Sequence, residues 1–189
     1  MDNYENLIKF IHMVSDENGL NISQRNITVS TCGLVPAIYQ FADEKLQVTL
    51  ALSLHAPNDE LRRQIMPIAK KYSMDEVIDA CRYYFEKTGR RITFEYSLIK
   101  GVNDKESQAR ELAERISGMN CHVNIIPVNP IKERNYRQSS HAEIQKFKNT
   151  LEKYQINVTI RREMGRDIEG ACGQLRKSFI ERNQTDKEE

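Results

Sequence analysis

The stretch Gln47-Val48-Thr49-Leu50-Ala51-Leu52-Ser53-Leu54-His55-Ala56-Pro57 decides the fold class. From Val48 to Leu54 it is almost entirely apolar, which is typical of a strand buried on both faces in a parallel sheet. A histidine and a proline follow, so the strand leads into a polar turn. In parallel α/β folds, ligands bind at this carboxyl end of the strands. The stretch therefore predicts an α/β protein with a binding edge after this strand.

Strand-like and helical patterns alternate on both sides of this stretch. Strands are predicted at 27–31, 47–54, 91–99, 122–128 and 156–162. Helices are predicted at 4–14, from capping boxes at Ser73 and Ser140, and from Asn103-Asp104 to about Gly118. The alternation indicates βα units and a parallel sheet. The first helix has no preceding strand to pack on, so the sequence reads as if cut after a strand.

Composition limits the classes of function. The 189 residues contain 28 Lys and Arg against 27 Asp and Glu, a net charge of +1. A dedicated nucleic-acid-binding protein usually has a stronger basic field, although pairs such as Arg62-Arg63 and Arg161-Arg162 leave local phosphate contacts open. No apolar run reaches the roughly 20 residues that span a membrane, and the polar N-terminus does not resemble a signal peptide. A cytoplasmic location without membrane contact is expected. Residues 1–180 are expected to form one domain and 181–189 a polar tail.

The four cysteines lie at positions 32, 81, 121 and 172, and none forms a C-x-x-C pair. This scatter argues against a disulfide framework and against a self-contained zinc or iron–sulfur site. Cys81 lies on the apolar face of a predicted helix and Cys121 just before a strand, so both are interpreted as structural. Cys172 is different because small residues surround it in Gly170-Ala171-Cys172-Gly173. The backbone can approach a ligand there, and the thiol is a candidate nucleophile.

Polar side chains lie near the ends of several predicted strands. Ser30, Ser53, His55 and Asn129 are expected to meet at one rim, where they could bind a ribose, a carboxylate or an adenine. Alone, each serine or asparagine is more consistent with an ordinary turn residue and His55 equally consistent with a loop histidine, but the four together favour a site. Glu95 is placed near the end of its strand, as a base or as the partner of a cation.

Five motifs together resemble one family. They occur in the order Ser30-Thr31-Cys32-Gly33, Ser53-Leu54-His55-Ala56-Pro57, Phe94-Glu95-Tyr96, Ile126-Pro127-Val128-Asn129-Pro130 and Gly170-Ala171-Cys172-Gly173-Gln174-Leu175. In this order and spacing they resemble the radical S-adenosylmethionine methyltransferases that methylate carbon 2 of adenosine in large-subunit ribosomal RNA and in transfer RNA. The resemblance runs from about Tyr4 to Leu175.

The resemblance implies an incomplete parallel (β/α) barrel of the radical-SAM type, lacking its first two strands. S-adenosylmethionine and a 4Fe–4S cluster are the implied cofactors. The family's C-x-x-x-C-x-x-C cluster motif and its Gly-Glu-Pro motif do not occur in this sequence. The chain is therefore expected to be the carboxyl-terminal part of an enzyme and to be inactive alone. Implied partners are ribosomal RNA, transfer RNA and an electron donor, and open barrel edges invite self-association.

The resemblance also assigns roles to residues. Cofactor contacts are implied for Ser30, Ser53, Leu54, His55 and Asn129, and no residue is a metal ligand. Cys172 matches the cysteine that becomes S-methylcysteine, because carbon 2 of adenosine is not nucleophilic and a direct polar methyl transfer fails. In the family, a 5′-deoxyadenosyl radical activates that methyl group, and a second cysteine upstream, absent here, forms a disulfide that releases the product.

Three alternatives stay open. A carbon-8 adenosine methyltransferase shares these motifs. A non-catalytic RNA-binding module would bind with a strong dependence on salt. A redox sensor would need Cys172 to oxidise readily, with no role for Ser53 or Asn129.

Overall fold

Five parallel strands form one sheet in the computed structural model, which describes residues 3–128 and 136–162. The spatial order of the strands is their order in the sequence. Parallel neighbours need a crossover connection, which explains why a helical segment follows each of the first four strands. The α/β class and the parallel sheet are thus confirmed. The strands are β1 (Thr28–Thr31), β2 (Thr49–Ser53), β3 (Ile92–Leu98), β4 (Cys121–Pro127) and β5 (Asn157–Ile160).

Six α-helices accompany the sheet in the described ranges: α1 (Tyr4–Ser15), α2 (Val35–Asp43), α3 (Asp59–Ile65), α4 (Met74–Thr88), α5 (Glu106–Ile116) and α6 (His141–Lys153). Short 3₁₀ turns lie at Gln24–Asn26 and Pro67–Lys70. Helices α2 and α3 were not predicted from the sequence. Both are short, and α3 buries a single side chain, that of Arg62, so it has no apolar stripe to detect.

Helix starts show where the capping signals were reliable. Both predicted capping boxes are present, with the hydroxyls of Ser73 and Ser140 accepting bonds from the backbone N–H three residues on. The predicted start of α5 at Asn103-Asp104 was wrong. This helix begins at Glu106, because the side chain of Asn103 is bonded elsewhere.

The sheet has one core face and one polar face. Along β3 and β4, buried residues alternate with half-buried ones. The buried set packs with the helices in one hydrophobic core, and it comprises Ile92, Phe94, Tyr96, Leu98, Cys121, Val123 and Ile125. The other face presents Thr93, Glu95, Ser97, His122 and Asn124. A surface of hydroxyl, carboxylate, imidazole and amide groups therefore lies opposite the core.

Cys81 and Cys121 are buried in the core, as expected for structural cysteines. Burial raises the pKa of the Cys81 thiol to about 12 and that of Cys121 to about 11. Both thiols are protonated at neutral pH and therefore poor nucleophiles. Within the described ranges, no helix has the length and apolar character to cross a bilayer.

Candidate functional site

The carboxyl ends of β1 and β2 lie side by side. Thr31, the last residue of β1, pairs with Leu52, and Ser53, the last residue of β2, pairs with Glu95. Ser30 is exposed on β1 opposite Ala51, and Ser53 is half-buried. The structure therefore brings four of the predicted cofactor contacts to the carboxyl end of the sheet: Ser30, Ser53, Leu54 and His55. This group is called the candidate cofactor edge below. Asn129 and Cys172 lie outside the described residues.

Backbone bonds to β3 fix the turn after β2. The N–H groups of Leu54 and His55 both donate to the carbonyl oxygen of Glu95, at 3.0 and 3.2 Å. Leu54 is fully buried, so its side chain belongs to the core. The cofactor contact for Leu54 stays a prediction. This residue holds the turn that carries His55.

His55 occupies a left-handed backbone conformation, with φ of 60°. Its ring nitrogen Nδ1 accepts a hydrogen bond from the N–H of Ser97 at 3.0 Å. In a neutral imidazole the proton must then be on Nε2, which becomes a donor. Burial, and secondly the positive charge of Arg62, lower the pKa of His55 to about 4. At neutral pH this residue therefore offers an uncharged N–H in one fixed tautomer.

Asn103 is a residue of the site that sequence analysis did not identify. It is fully buried, and its Nδ2 donates to the carbonyls of His55 at 2.8 Å and Ser97 at 2.7 Å. Its Oδ1 accepts from the N–H of Ile99 at 2.7 Å. One amide thus joins the turn after β2 to the end of β3. An asparagine just before a helix normally signals a cap, and that local signal concealed this role.

Arg62 was also placed wrongly. The sequence suggested that Arg62 and Arg63 could contact phosphates, but Arg62 has no exposed surface and only Arg63 is open to solvent. The guanidinium of Arg62 donates to the carbonyl oxygens of Cys32, Leu54 and Ser53, at 2.8, 3.3 and 3.4 Å. Arg62 therefore lies directly behind the candidate edge.

A row of hydrogen-bonded side chains crosses the polar face. Asn124 donates through Nδ2 to Oε2 of Glu95 at 3.0 Å, and the Thr159 hydroxyl donates to Oδ1 of Asn124 at 3.1 Å. Nε2 of His122 lies 2.8 Å from that hydroxyl oxygen and completes the row. Glu95 lies in the middle of β3, not near its end as predicted, but the register places it beside Ser53.

Glu95 is the acidic group of this face. Partial burial raises the pKa of its carboxyl, while the bond from Asn124 and the charge of Arg161 act in the opposite direction. Together with the hydroxyls of Ser30 and Ser53 and the N–H of His55, it forms a mixed set of donors and acceptors. Such a set suits a polar organic ligand with hydroxyl, amine or carboxylate groups. Among the described residues, no group of three or more His, Cys, Asp or Glu side chains could hold a metal ion.

A groove of about 650 Å³ lies beyond the ends of β4 and β5, beside the start of α6. Its lining includes Ser139, His141, Arg161 and Arg162. Two guanidinium groups and an imidazole are suitable groups for contact with phosphates.

Comparison with known proteins gives the class. The family model of the radical SAM superfamily matches residues 2–113, more than half of the chain. The chain belongs to the radical SAM superfamily.

Individual proteins match almost the whole of this chain at high sequence identity. A protein of Lachnospira eligens named "Probable dual-specificity RNA methyltransferase RlmN" is 68% identical over 181 residues, covering 96% of this chain and 52% of the relative. A protein of the same name from Lachnoclostridium phytofermentans is 63% identical, covering 96% of this chain and 51% of its own length. The chain spans about half the length of the curated relatives it matches.

Solved structures agree with the fold. A radical SAM methyltransferase from Sphaerobacter thermophilus superposes with a TM-score of 0.86 at 47% identity, covering 92% of this chain and 51% of that one. A domain of a pyruvate-formate lyase-activating enzyme from Bacteroides vulgatus gives a TM-score of 0.65 at 16% identity. The second likeness concerns the fold alone.

Proposed function

We propose that this chain is part of a radical SAM RNA methyltransferase that methylates carbon 2 of adenosine in large-subunit ribosomal RNA and in transfer RNA. The observation that carries the proposal is the edge formed by Ser30, Ser53 and His55, in which His55 has a fixed tautomer. The names and identities of the relatives support the reaction class. The motif around Cys172 supports a covalent methyl carrier.

The edge fits S-adenosylmethionine chemically. That molecule carries ribose hydroxyls, an adenine and an amino-acid carboxylate, which match the serine hydroxyls and the imidazole N–H. When bound, it supplies the methyl group and, with a reduced iron–sulfur cluster, the radical. Since the pKa of His55 is about 4, its Nε2 remains a neutral donor and does not become a cation at working pH. The donor set thus stays constant through the reaction.

Cys172 is proposed as the residue that carries the methyl group on its sulfur. A thiolate is the form that attacks a methyl carbon, and the glycines and alanine around it leave room for a ligand. Asn129, after β4, is proposed as a further cofactor contact.

The cluster must come from outside this sequence, which has no C-x-x-x-C-x-x-C motif. We propose that the chain alone neither binds a 4Fe–4S cluster nor turns over, and that activity needs such a segment and an electron donor. In the sheet as described, β1 and β5 are the edge strands and could each pair with another chain, so self-association is expected in isolation. RNA is proposed to contact Arg161 and Arg162 in the groove beside α6.

The first test measures binding of S-adenosylhomocysteine, the stable product that S-adenosylmethionine leaves after giving up its methyl group, to the 189-residue chain by calorimetry. We expect binding that weakens about tenfold or more in Ser53→Ala and His55→Ala. His12→Ala is the matched control, because His12 is exposed on α1, and it should bind as the unmodified chain does. Equal affinity in all four proteins would refute the proposed cofactor edge.

The second test concerns the reaction. The chain is supplied within a full-length relative, and modified RNA is digested and analysed by mass spectrometry against 2-methyladenosine and 8-methyladenosine standards. The Cys172→Ala variant should still bind S-adenosylhomocysteine but form no methyladenosine. An 8-methyl product would support the carbon-8 alternative, and methylation by Cys172→Ala would refute the covalent carrier.

A further inference from the structure

Arg62 is the largest fully buried side chain among the described residues, with 0% of its surface exposed. It forms no ion pair with any described carboxylate, and its Nη1 has no hydrogen-bond partner there. Burying a guanidinium without a directly bonded carboxylate is costly. Desolvation accordingly lowers the pKa of Arg62, although the charges of Cys32, Asp59 and Cys81 oppose the shift. Such a residue needs a structural or functional reason.

The bonds of Arg62 indicate what that reason is. All three of its acceptors are backbone carbonyls at the ends of adjacent strands: Cys32 after β1, and Ser53 and Leu54 at the end of β2. The strand ladder between β1 and β2 stops at Thr31 and Leu52. The guanidinium therefore continues the connection between the two strands past the point where backbone pairing ends. Lysine, with a compact ammonium, cannot span these acceptors in the same way.

Gly33 lies close to the same guanidinium. It has φ of +100°, and a Cβ added there would lie 3.0 Å from Nη2 of Arg62. The next contacts would be Leu52 and Val77, both at 3.4 Å. The turn after β1 is thus packed directly against the guanidinium.

We propose that Arg62 is a positioning residue of the candidate cofactor edge: from the buried side, it sets the spacing between the turn at 32–33 and the turn at 53–55. This inference rests on the proposed function, because the two turns carry Ser53 and His55 and follow Ser30. Arg62 acts through these residues and does not itself contact a ligand. Its charge also helps to keep His55 neutral.

The test compares Arg62→Lys and Arg62→Met with Arg63→Met in the 189-residue chain. Arg63 is the matched control because it lies on the same helix with its side chain 55% exposed. Affinity for S-adenosylhomocysteine is measured by calorimetry. The ring nitrogens of His55 and the amide of Gly33 are followed by NMR without ligand. We expect at least tenfold weaker binding in both Arg62 variants, displaced signals of His55 and Gly33, and a twofold change at most in Arg63→Met.

The lysine variant distinguishes positioning from general stability. It keeps a positive charge in place, so a merely structural role predicts normal affinity in the folded variant. An Arg62→Lys protein that binds within twofold of the unmodified chain and keeps the His55 and Gly33 signals would overturn the proposal. If neither variant folds, hydrogen exchange at Nε of Arg62 in the unmodified chain decides: protection that increases on adding S-adenosylhomocysteine supports it, and unchanged exchange overturns it.

The readouts also separate this inference from the proposed function. A chain that binds no S-adenosylhomocysteine refutes the cofactor edge. The ligand-free NMR signals then still decide whether Arg62 positions the two turns: displaced signals support positioning, and unchanged signals refute it.

Discussion

Replacing Gly33 with alanine tests whether the buried guanidinium of Arg62 packs closely against the turn after β1. Gly33 has φ of +100°, which L-residues avoid, and placing a side chain in left-handed backbone costs roughly 1–2 kcal/mol. The new methyl would also lie 3.0 Å from Nη2 of Arg62, which bonds to backbone carbonyls and cannot move freely. Overpacking of this kind costs typically about 1–3 kcal/mol. The two costs add up, so we expect Gly33→Ala to reduce the free energy of unfolding by about 2–5 kcal/mol.

Gly118→Ala is the matched control. Gly118 has a comparable left-handed φ of +74°, but a Cβ there would have nothing within 4 Å. Only the conformational cost applies, and it is partly offset because alanine restricts the unfolded chain, so about 1 kcal/mol is expected. The difference between the two variants isolates the contact with Arg62.

Urea denaturation followed by circular dichroism measures both variants. For a chain of this size, each kcal/mol corresponds to about 2–4 °C in melting temperature, so in a thermal scan Gly33→Ala should melt roughly 4–20 °C lower. In the Arg62→Met background, Gly33→Ala should lose less stability relative to Gly118→Ala, because the new methyl group no longer lies against a guanidinium. Equal losses for Gly33→Ala and Gly118→Ala would refute the argument that the guanidinium fills this turn.

Four further predictions follow from the same structure. In the unmodified chain, the free energy of unfolding should fall by up to about 3 kcal/mol as the pH drops from 6.5 to 4, because in this range His55 is protonated only in the unfolded state. His55→Asn should lack this pH dependence in denaturation experiments, and asparagine tolerates the left-handed backbone at this position. Glu95→Gln should melt higher than the unmodified chain at neutral pH and no higher in acid, because partial burial disfavours the charged carboxylate in the folded state; calorimetric scans across pH check this. Ser140→Ala should lose about 1 kcal/mol through its missing cap, and a normal urea midpoint would contradict that. Iodoacetamide should alkylate exposed Cys32 and spare Cys81 in the native protein, as read by peptide mass spectrometry.

The parts of the fold that follow from local pattern were predictable. The apolar run at Val48–Leu54 predicted a buried parallel strand, and β2 has three consecutive buried residues at its centre. Ser73 and Ser140 predicted helix starts because a capping box uses only residues three positions apart. In each case, the neighbours in sequence are also the neighbours in space.

The parts of the site that depend on distant partners were not predictable. Asn103 bonds to His55, 48 positions away, and Arg62 bonds to Cys32, 30 positions away. In the sequence, each has an ordinary local interpretation, as a helix cap and as one of two surface arginines. Glu95 was found as a candidate, but its position beside Ser53 depends on the register of β3 with β2. The sequence predicted which strand ends carry the candidate site, whereas the residues that support it became visible only in the tertiary structure.

The row from His122 to Glu95 has a direction. The Thr159 hydroxyl donates to Asn124, so its oxygen is free to accept from Nε2 of His122, and every bond points towards the carboxylate. Aligned bonds polarise one another, so a change of charge at β3 alters the ring electronics at a histidine whose hydrogen-bond partner lies on β5. We therefore expect the nitrogen resonances of the His122 imidazole to shift when Glu95 gains or loses its proton, which would follow that carboxyl with no probe attached to it.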